Sequence, residues 1–320
     1  MIKGQALSRE QVVDDLELYC AGTDTTYSDV AKAIGQSVGR FSAWKAGTYK
    51  GNMEITTKAV AQYLETRNQQ REERTAESTF AETKQSQDIM SVVNFCQVKR
   101  KMGLVHGPSG VGKTTTLRHL METNSHVLLI TAFSRINQSE LLSELLISLG
   151  RAPKRQSKTR LLQRIKYELS NSTRVIVVDE AQKCGFEVLE TLRHLWDVTG
   201  VGIVFVGTDD VVDRMKGRAK TDYDQIYSRL AIKLKLEKKV VPDDVKKVLE
   251  ASGVSIAKNG LLKFACELAK RQGHFRTLSN HIEMAVELAR ERGAHSGAGV
   301  LPVIALEDFK NAGRMLWSED

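Results

Sequence analysis

The sequence predicts an α/β protein: a parallel sheet flanked by helices, with a small C-terminal helical bundle after it and a helical unit before it. Three observations predict this. Short β-branched runs alternate with helix-like segments through the middle of the chain. One run feeds the octapeptide Gly107-Pro108-Ser109-Gly110-Val111-Gly112-Lys113-Thr114, which fits GxxxxGK[ST] at every fixed position. Another, Val175-Ile176-Val177-Val178, ends in Asp179-Glu180, where open parallel sheets hold ligands.

The first unit, residues 1–64, reads as helices over Leu7–Cys20, Thr25–Ile34, Ser37–Lys45 and Ile55–Leu64. Gly35 takes the turn between the two short helices, and Ala31 is small where they cross. Phe41 and Trp44 fall on the buried face, with Val30, Ile34 and Val38 completing the core. Ser37, Gly39, Arg40, Ala43 and Lys45 are left facing outward, as on a recognition helix in a helix-turn-helix domain. Three-helix bundles with such a turn also occur without any DNA function. Residues 1–64 carry seven basic and seven acidic residues, which counts against strong binding by this unit.

Residues 65–87 are almost wholly polar, with Phe80 the one large apolar residue, and read as a linker or a solvated helix. Residues 88–241 form the sheet domain, with candidate strands Gly103–Val105, His126–Thr131, Arg174–Val178, Ile203–Val206 and Ala231–Leu236. In residues 242–320 the strands stop. Asp243–Ala251, Gly260–Arg271, Phe275–Glu291 and Leu306–Trp317 read as helices of the C-terminal lid.

The octapeptide answers the chemistry of a triphosphate part by part. Glycines let successive N–H groups curl toward phosphate oxygens, and the helix opening at Thr115 presents its positive end to the anion. Gly107 to Thr115 is therefore the predicted ATP site. Lys113 adds a point charge toward the β and γ phosphates, and the Thr114 hydroxyl is a Mg²⁺ ligand. Asp179 holds Mg²⁺ through water, and Glu180 orients and deprotonates the attacking water. Thr208, just past a strand, can position that water. Arg229 precedes the last strand, at the sheet edge, where a finger aimed at a neighbouring subunit's nucleotide belongs. Arg276 opens a lid helix and can reach back over its own nucleotide. Asp179-Glu180-Ala181-Gln182 also resembles a helicase box, although no further helicase motif accompanies it.

A formal charge of +8 suggests a polyanionic partner. The excess is concentrated in Arg151, Lys154, Arg155, Lys158, Arg160, Arg164 and Lys166, a stretch with no acidic residue until Glu168. Smaller runs follow around Arg214–Lys220 and Lys233–Lys239. A solvated face is the plain reading of any one run; for the first, inside a nucleotide-binding core, nucleic-acid phosphate is the better one. Arg40 and Lys45 join it as DNA-binding candidates. The four cysteines have neither disulfide-like nor metal-ligand spacing, so reduced thiols in a cytoplasmic protein are expected. No signal segment or membrane-spanning run is present, which argues against a membrane partner.

Together these residues resemble an AAA+ ATPase, and more narrowly the family of phage Mu transposition protein B and its transposon relatives. The likeness is carried by Tyr49-Lys50-Gly51-Asn52, Phe80-Ala81-Glu82-Thr83 and the basic Ala152-Pro153-Lys154-Arg155. It continues in Asp179-Glu180-Ala181 with Leu189-Glu190-Thr191-Leu192-Arg193, then Ser228-Arg229 and Phe275-Arg276-Thr277-Leu278. It spans nearly the whole chain. Thr208 departs from the Asn of many AAA+ proteins, and the N-terminal unit is electrically neutral. The resemblance implies an ATPase stimulated by DNA and transposase, with ATP and Mg²⁺ as cofactors, in a bacterial host cytoplasm. It further implies ATP-bound filaments on double-stranded DNA with little sequence preference, delivery of that DNA to a DDE transposase, and disassembly on hydrolysis. Two other classes fit the same motifs: a helicase loader or replication initiator, and a helix-turn-helix transcription regulator with a nucleotide switch.

Overall fold

The computed structural model describes residues 8–21, 25–49, 51–77, 80–133, 136–152, 156–216, 224–254, 260–292 and 304–316. The chain divides into two compact units, Met1–Ser78 and Thr79–Asp320.

In the first unit, α1 (Arg9–Ala21), α2 (Tyr27–Ala33), α3 (Val38–Lys45) and α4 (Met53–Glu77) enclose Val12, Leu16, Val30, Ala31, Phe41, Trp44, Val60 and Leu64. A reciprocal Thr26–Asp29 capping box opens α2, and the Ser37 hydroxyl caps α3. Gly35 turns the chain between them with φ +70°. Phe41 packs against Trp44, whose indole N–H donates to the Thr57 hydroxyl at 3.0 Å. Val38 departs from expectation: it is 49% exposed, because it opens α3 a full turn before Phe41, where the apolar stripe runs past the packed core. Ile34 is half-buried. The last helix runs to Glu77, well beyond Leu64, since residues 65–77 contain good helix formers and no Gly or Pro.

The second unit begins with α5 (Lys84–Lys99), which the polar composition before it concealed. There follow β1 (Met102–His106), α6 (Lys113–Thr123), β2 (Val127–Thr131), α7 (Gln138–Ser148), α8 (Lys158–Leu169) and β3 (Val175–Asp179). Next come α9 (Phe186–Thr199), β4 (Gly202–Gly207), α10 (Asp210–Lys216), α11 (Asp224–Ser228) and β5 (Leu230–Lys235). The five strands pair in parallel in the order β2-β3-β4-β1-β5, as the alternating pattern predicts.

Strand periodicity sorts the core. Ile176, Val178, Ile203 and Phe205 face one layer with residues of α7, α8 and α9; Val175, Val177, Val204 and Val206 face the other with α5 and α6. β3 and β4 are buried throughout, whereas β5 alternates, as an edge strand does. α5 lies so close to β4 that a Cβ on Gly202 would meet the Cys96 carbonyl oxygen at 2.3 Å. Burial pushes the Cys96 thiol up to about 12 and the Cys184 thiol up to about 11, so both are inert core groups.

The lid is α12 (Pro242–Ala251), α13 (Leu261–Lys270), α14 (Phe275–Glu291) and α15 (Leu306–Leu316) around Val245, Leu249, Leu268, Leu278, Ile282 and Phe309. Its attachment is polar. The Lys84 N–H donates to Asp244 Oδ1 on α12 at 2.9 Å, and just ahead of the lid the Gln85 amide donates to the Glu237 carbonyl.

His281 is fully buried on α14, with Nδ1 on the Thr277 carbonyl at 2.9 Å and Nε2 without a partner among the described residues. Burial, aided by nearby Arg271, pulls its pKa below the ordinary 6.5. A histidine held neutral in the fold contributes stability that is complete above its unfolded pKa and is lost as pH falls. Urea unfolding at about pH 7.5 and about pH 5.5 should therefore show a larger acid loss for the wild type than for His281→Leu. Equal losses would contradict this.

Candidate functional site

Between the end of β1 and the start of α6 lies the loop 107–112, with Gly110 at φ +83° and Gly112 at φ +93° opening the helix. Lys113, the first residue of α6, is buried, and its Nζ donates to the carbonyls of Gly107 and Pro108 at 2.8 and 2.7 Å. Burial lowers its pKa; the carboxylates of Asp179, Glu180 and Asp209 oppose this, and the Arg276 charge adds to it. A lysine folded over its own loop among carboxylates stands ready for an anionic ligand that offers better acceptors.

Thr114 follows. Its hydroxyl donates to Asp179 Oδ2 at 2.7 Å, and Asp179 Oδ1 accepts from the Glu180 N–H at 2.9 Å. Burial raises the pKa of Asp179, against those two hydrogen bonds. A hydroxyl and a carboxylate converging in this way form an oxygen-only donor pair, which suits Mg²⁺ completed by phosphate oxygens and water. Among the described residues no cluster of three or more His, Cys, Asp or Glu could form an all-protein metal cage.

Glu180 leaves the strand in a left-handed conformation, φ 57° and ψ 35°, which costs a non-glycine residue about 1–2 kcal/mol. Its Oε2 accepts from Gln182 Nε2 at 2.9 Å and lies 3.0 Å from Lys183 Nζ. Thr208 follows β4; its hydroxyl donates to Asp210 and its N–H to Gln182 Oε1. Beside it, Asp209 pairs with His106 at 2.7 Å, joining the ends of β4 and β1.

The lid reaches the loop through the backbone. The Phe275 N–H donates to the Gly110 carbonyl at 3.0 Å, and a Cβ on Gly110 would lie 2.0 Å from the Gly273 oxygen. Arg276 therefore follows directly on a segment bonded to the loop, and its charge is felt at Lys113. Arg229 is elsewhere: it is exposed and donates to both oxygens of Asp197 on α9, at 3.0 and 3.2 Å. Asp197 is shared with Arg193, which is bidentate to Glu190.

The basic candidates are dispersed. Arg40 stacks on Tyr49, and Lys45 is engaged by Glu17 at 2.8 Å and by the Tyr27 ring. Arg151 pairs with Glu168. Lys158, Arg160 and Arg164 lie on α8, whose other face buries Leu161, Ile165 and Leu169. Arg160 and Arg164 line a shallow recess with the exposed Tyr167. Lys154 and Arg155 lie outside the described residues, as do Arg218 and Lys220.

Four participants were missed by sequence reasoning. Asp197 stands four residues after Arg193, a helical spacing that marks an ion pair. Gln182 is the fourth residue of the acidic box. The His106–Asp209 pair had no sequence signal, because it forms only when β1 and β4 become neighbours.

Fold and site together define an AAA+ P-loop ATPase. An AAA-domain family model matches residues 97–215. The chain is 30% identical over 253 residues to the Mu-like prophage FluMu DNA transposition protein B of Haemophilus influenzae, covering 78% of this chain and 88% of that protein. It is 28% identical over 272 residues to the ATP-dependent target DNA activator B of Escherichia phage Mu, covering 84% and 86%. The chain belongs to this transposition protein B family. Among solved structures, the Aeropyrum pernix ORC2 protein in ADPNP–ADP complexes shares the fold, with a TM-score of 0.54 at 17% identity over 75% of this chain and 70% of that one. Among the described residues no helix is long and apolar enough to cross a membrane.

The Gly110 contact yields a prediction. Gly110→Ala places a Cβ where the lid backbone stands and strains φ as well. ATP affinity, read by titration with a fluorescent analogue, should fall about tenfold or more. Unchanged affinity would mean that the loop–lid contact has no part in nucleotide binding.

Proposed function

We propose that this protein binds ATP and Mg²⁺, assembles on double-stranded DNA as ATP-bound filaments, and delivers that DNA to a DDE transposase, which it activates. ATP hydrolysis, stimulated by DNA and transposase, drives disassembly. The observation that carries this is the division of labour among the charged and polar residues. Lys113, Thr114, Asp179 and Glu180 converge on one loop, while Arg229 is held outward by Asp197. The name of the phage Mu relative, an ATP-dependent target DNA activator, supports the DNA-directed part of the reading.

In this reading the loop N–H groups and Lys113 hold the triphosphate. Thr114 and Asp179 hold Mg²⁺, which when bound neutralises the charge developing on the phosphate oxygens. Glu180 takes the proton of the attacking water, Thr208 orients that water, and Arg276 holds the lid over the nucleotide. Arg229 senses the γ-phosphate of a neighbouring subunit. It must first leave Asp197, an exposed pair worth only about 0–1 kcal/mol, so a phosphate can displace it readily. The basic face of α8, with Arg151, Lys154 and Arg155, binds the DNA backbone without reading sequence. Arg40 and Lys45 on the N-terminal helix-turn-helix add a secondary contact.

Glu180→Gln should bind ATP and DNA normally and hydrolyse about a hundredfold more slowly or worse, leaving long-lived filaments; rapid phosphate release by this variant would remove Glu180 from its role. Lys113→Ala should lose ATP-dependent DNA binding in electrophoretic shift assays. Arg229→Ala should keep ATP affinity and fail to assemble, as sedimentation with duplex DNA would reveal. Filaments formed as readily as by the wild type would mean that Arg229 is not the intersubunit sensor.

A further inference from the structure

Gln182 stands in the short turn after Glu180, and its amide spans the ends of two strands. Nε2 donates to Glu180 Oε2 at 2.9 Å, while Oε1 accepts from the Thr208 N–H at 3.2 Å. The bridge is closely fitted, since a Cβ on Gly207 would lie 2.4 Å from Oε1. Only an amide of this length serves both ends. A carboxylate cannot donate to Glu180, and asparagine is one methylene short.

Glu180 needs such a brace. Its backbone turns out of the strand at φ 57°, and its Oε2 is met by Gln182 and Lys183. Lys183 reaches the same Oε2 at 3.0 Å, but through an exposed and flexible stem that water screens. The amide bond is the directional one.

We propose that Gln182 is a positioning residue for hydrolysis, holding the Glu180 carboxylate in register with Thr208 so that the base and the end of β4 move together. With Oε2 occupied by the brace, Oε1 is the oxygen presented to the attacking water. The link also carries any displacement of Thr208 to Glu180, so that movement at the end of β4 changes the aim of the base. This rests on Glu180 acting as the base.

The test is steady-state ATPase activity of the full chain with duplex DNA, beside nucleotide affinity from titration with a fluorescent ATP analogue. Gln182→Ala and Gln182→Glu should each lose about ten- to a hundredfold in kcat, the range for a hydrogen bond to a charged group, with ATP affinity unchanged. Gly207→Ala, which pushes Oε1 aside without touching Glu180, should lower kcat in the same direction. In a Glu180→Gln background, Gln182→Ala should add nothing, because the group it positions is already gone. A slow Glu180→Gln beside a Gln182→Ala at wild-type kcat would overturn this inference alone; a fully active Glu180→Gln would overturn the base assignment with it. A Gln182→Glu protein with full activity, or additive losses in the double variant, would also overturn it.

Discussion

The half-buried hydrogen bond between the Thr114 hydroxyl and the buried Asp179 carboxylate joins the two halves of the nucleotide site. Thr114 belongs to the helix that follows the phosphate loop and Asp179 to the end of β3, and β4 stands between their strands in the sheet. One short contact thus fixes the loop relative to the acidic pair. It costs desolvation, which raises the carboxyl of Asp179, and it survives because two donors compensate. Thr114 and Asp179 would hold Mg²⁺ on binding of a nucleotide, and its positive charge would further offset that desolvation.

From that junction the rest of the site is built outward by backbone geometry. The all-parallel order puts the ends of β1, β3 and β4 side by side, bringing His106 to Asp209 and Gln182 to Thr208. The lid is coupled through the Phe275 N–H on the Gly110 carbonyl, so a change in the loop is felt at the helix carrying Arg276. Arg229 lies outside this connected set and is tethered by an exposed ion pair. In the proposed reading this separation leaves Arg229 available to the nucleotide of a neighbouring subunit.

Much of this was legible in the sequence. The central strands follow from apolar runs, because burial on both faces leaves an unbroken apolar signature, as in Val175–Val178, while the edge strand β5 shows alternation instead. The glycine loop and the Asp-Glu pair are local motifs whose chemistry does not depend on distant residues. What was not legible was non-local or masked by polarity. The residues 65–77 read equally as linker or helix, since a solvated helix has no apolar stripe to betray it. Gln182 and Asp197 acquire meaning only from partners on another strand or across a helix. The basic residues were visible, but not their partners: Glu17 for Lys45 and Glu168 for Arg151 come from distant positions.

The central claim is that one subunit holds the triphosphate while another senses its terminal phosphate. Cryo-electron microscopy of the protein on duplex DNA with a slowly hydrolysed ATP analogue tests this most directly. The account predicts a helical assembly in which Arg229 of one subunit has left Asp197 and contacts the γ-phosphate bound by Lys113 and Thr114 of its neighbour. Nucleotide-filled subunits on DNA with every Arg229 still paired to Asp197 would contradict it.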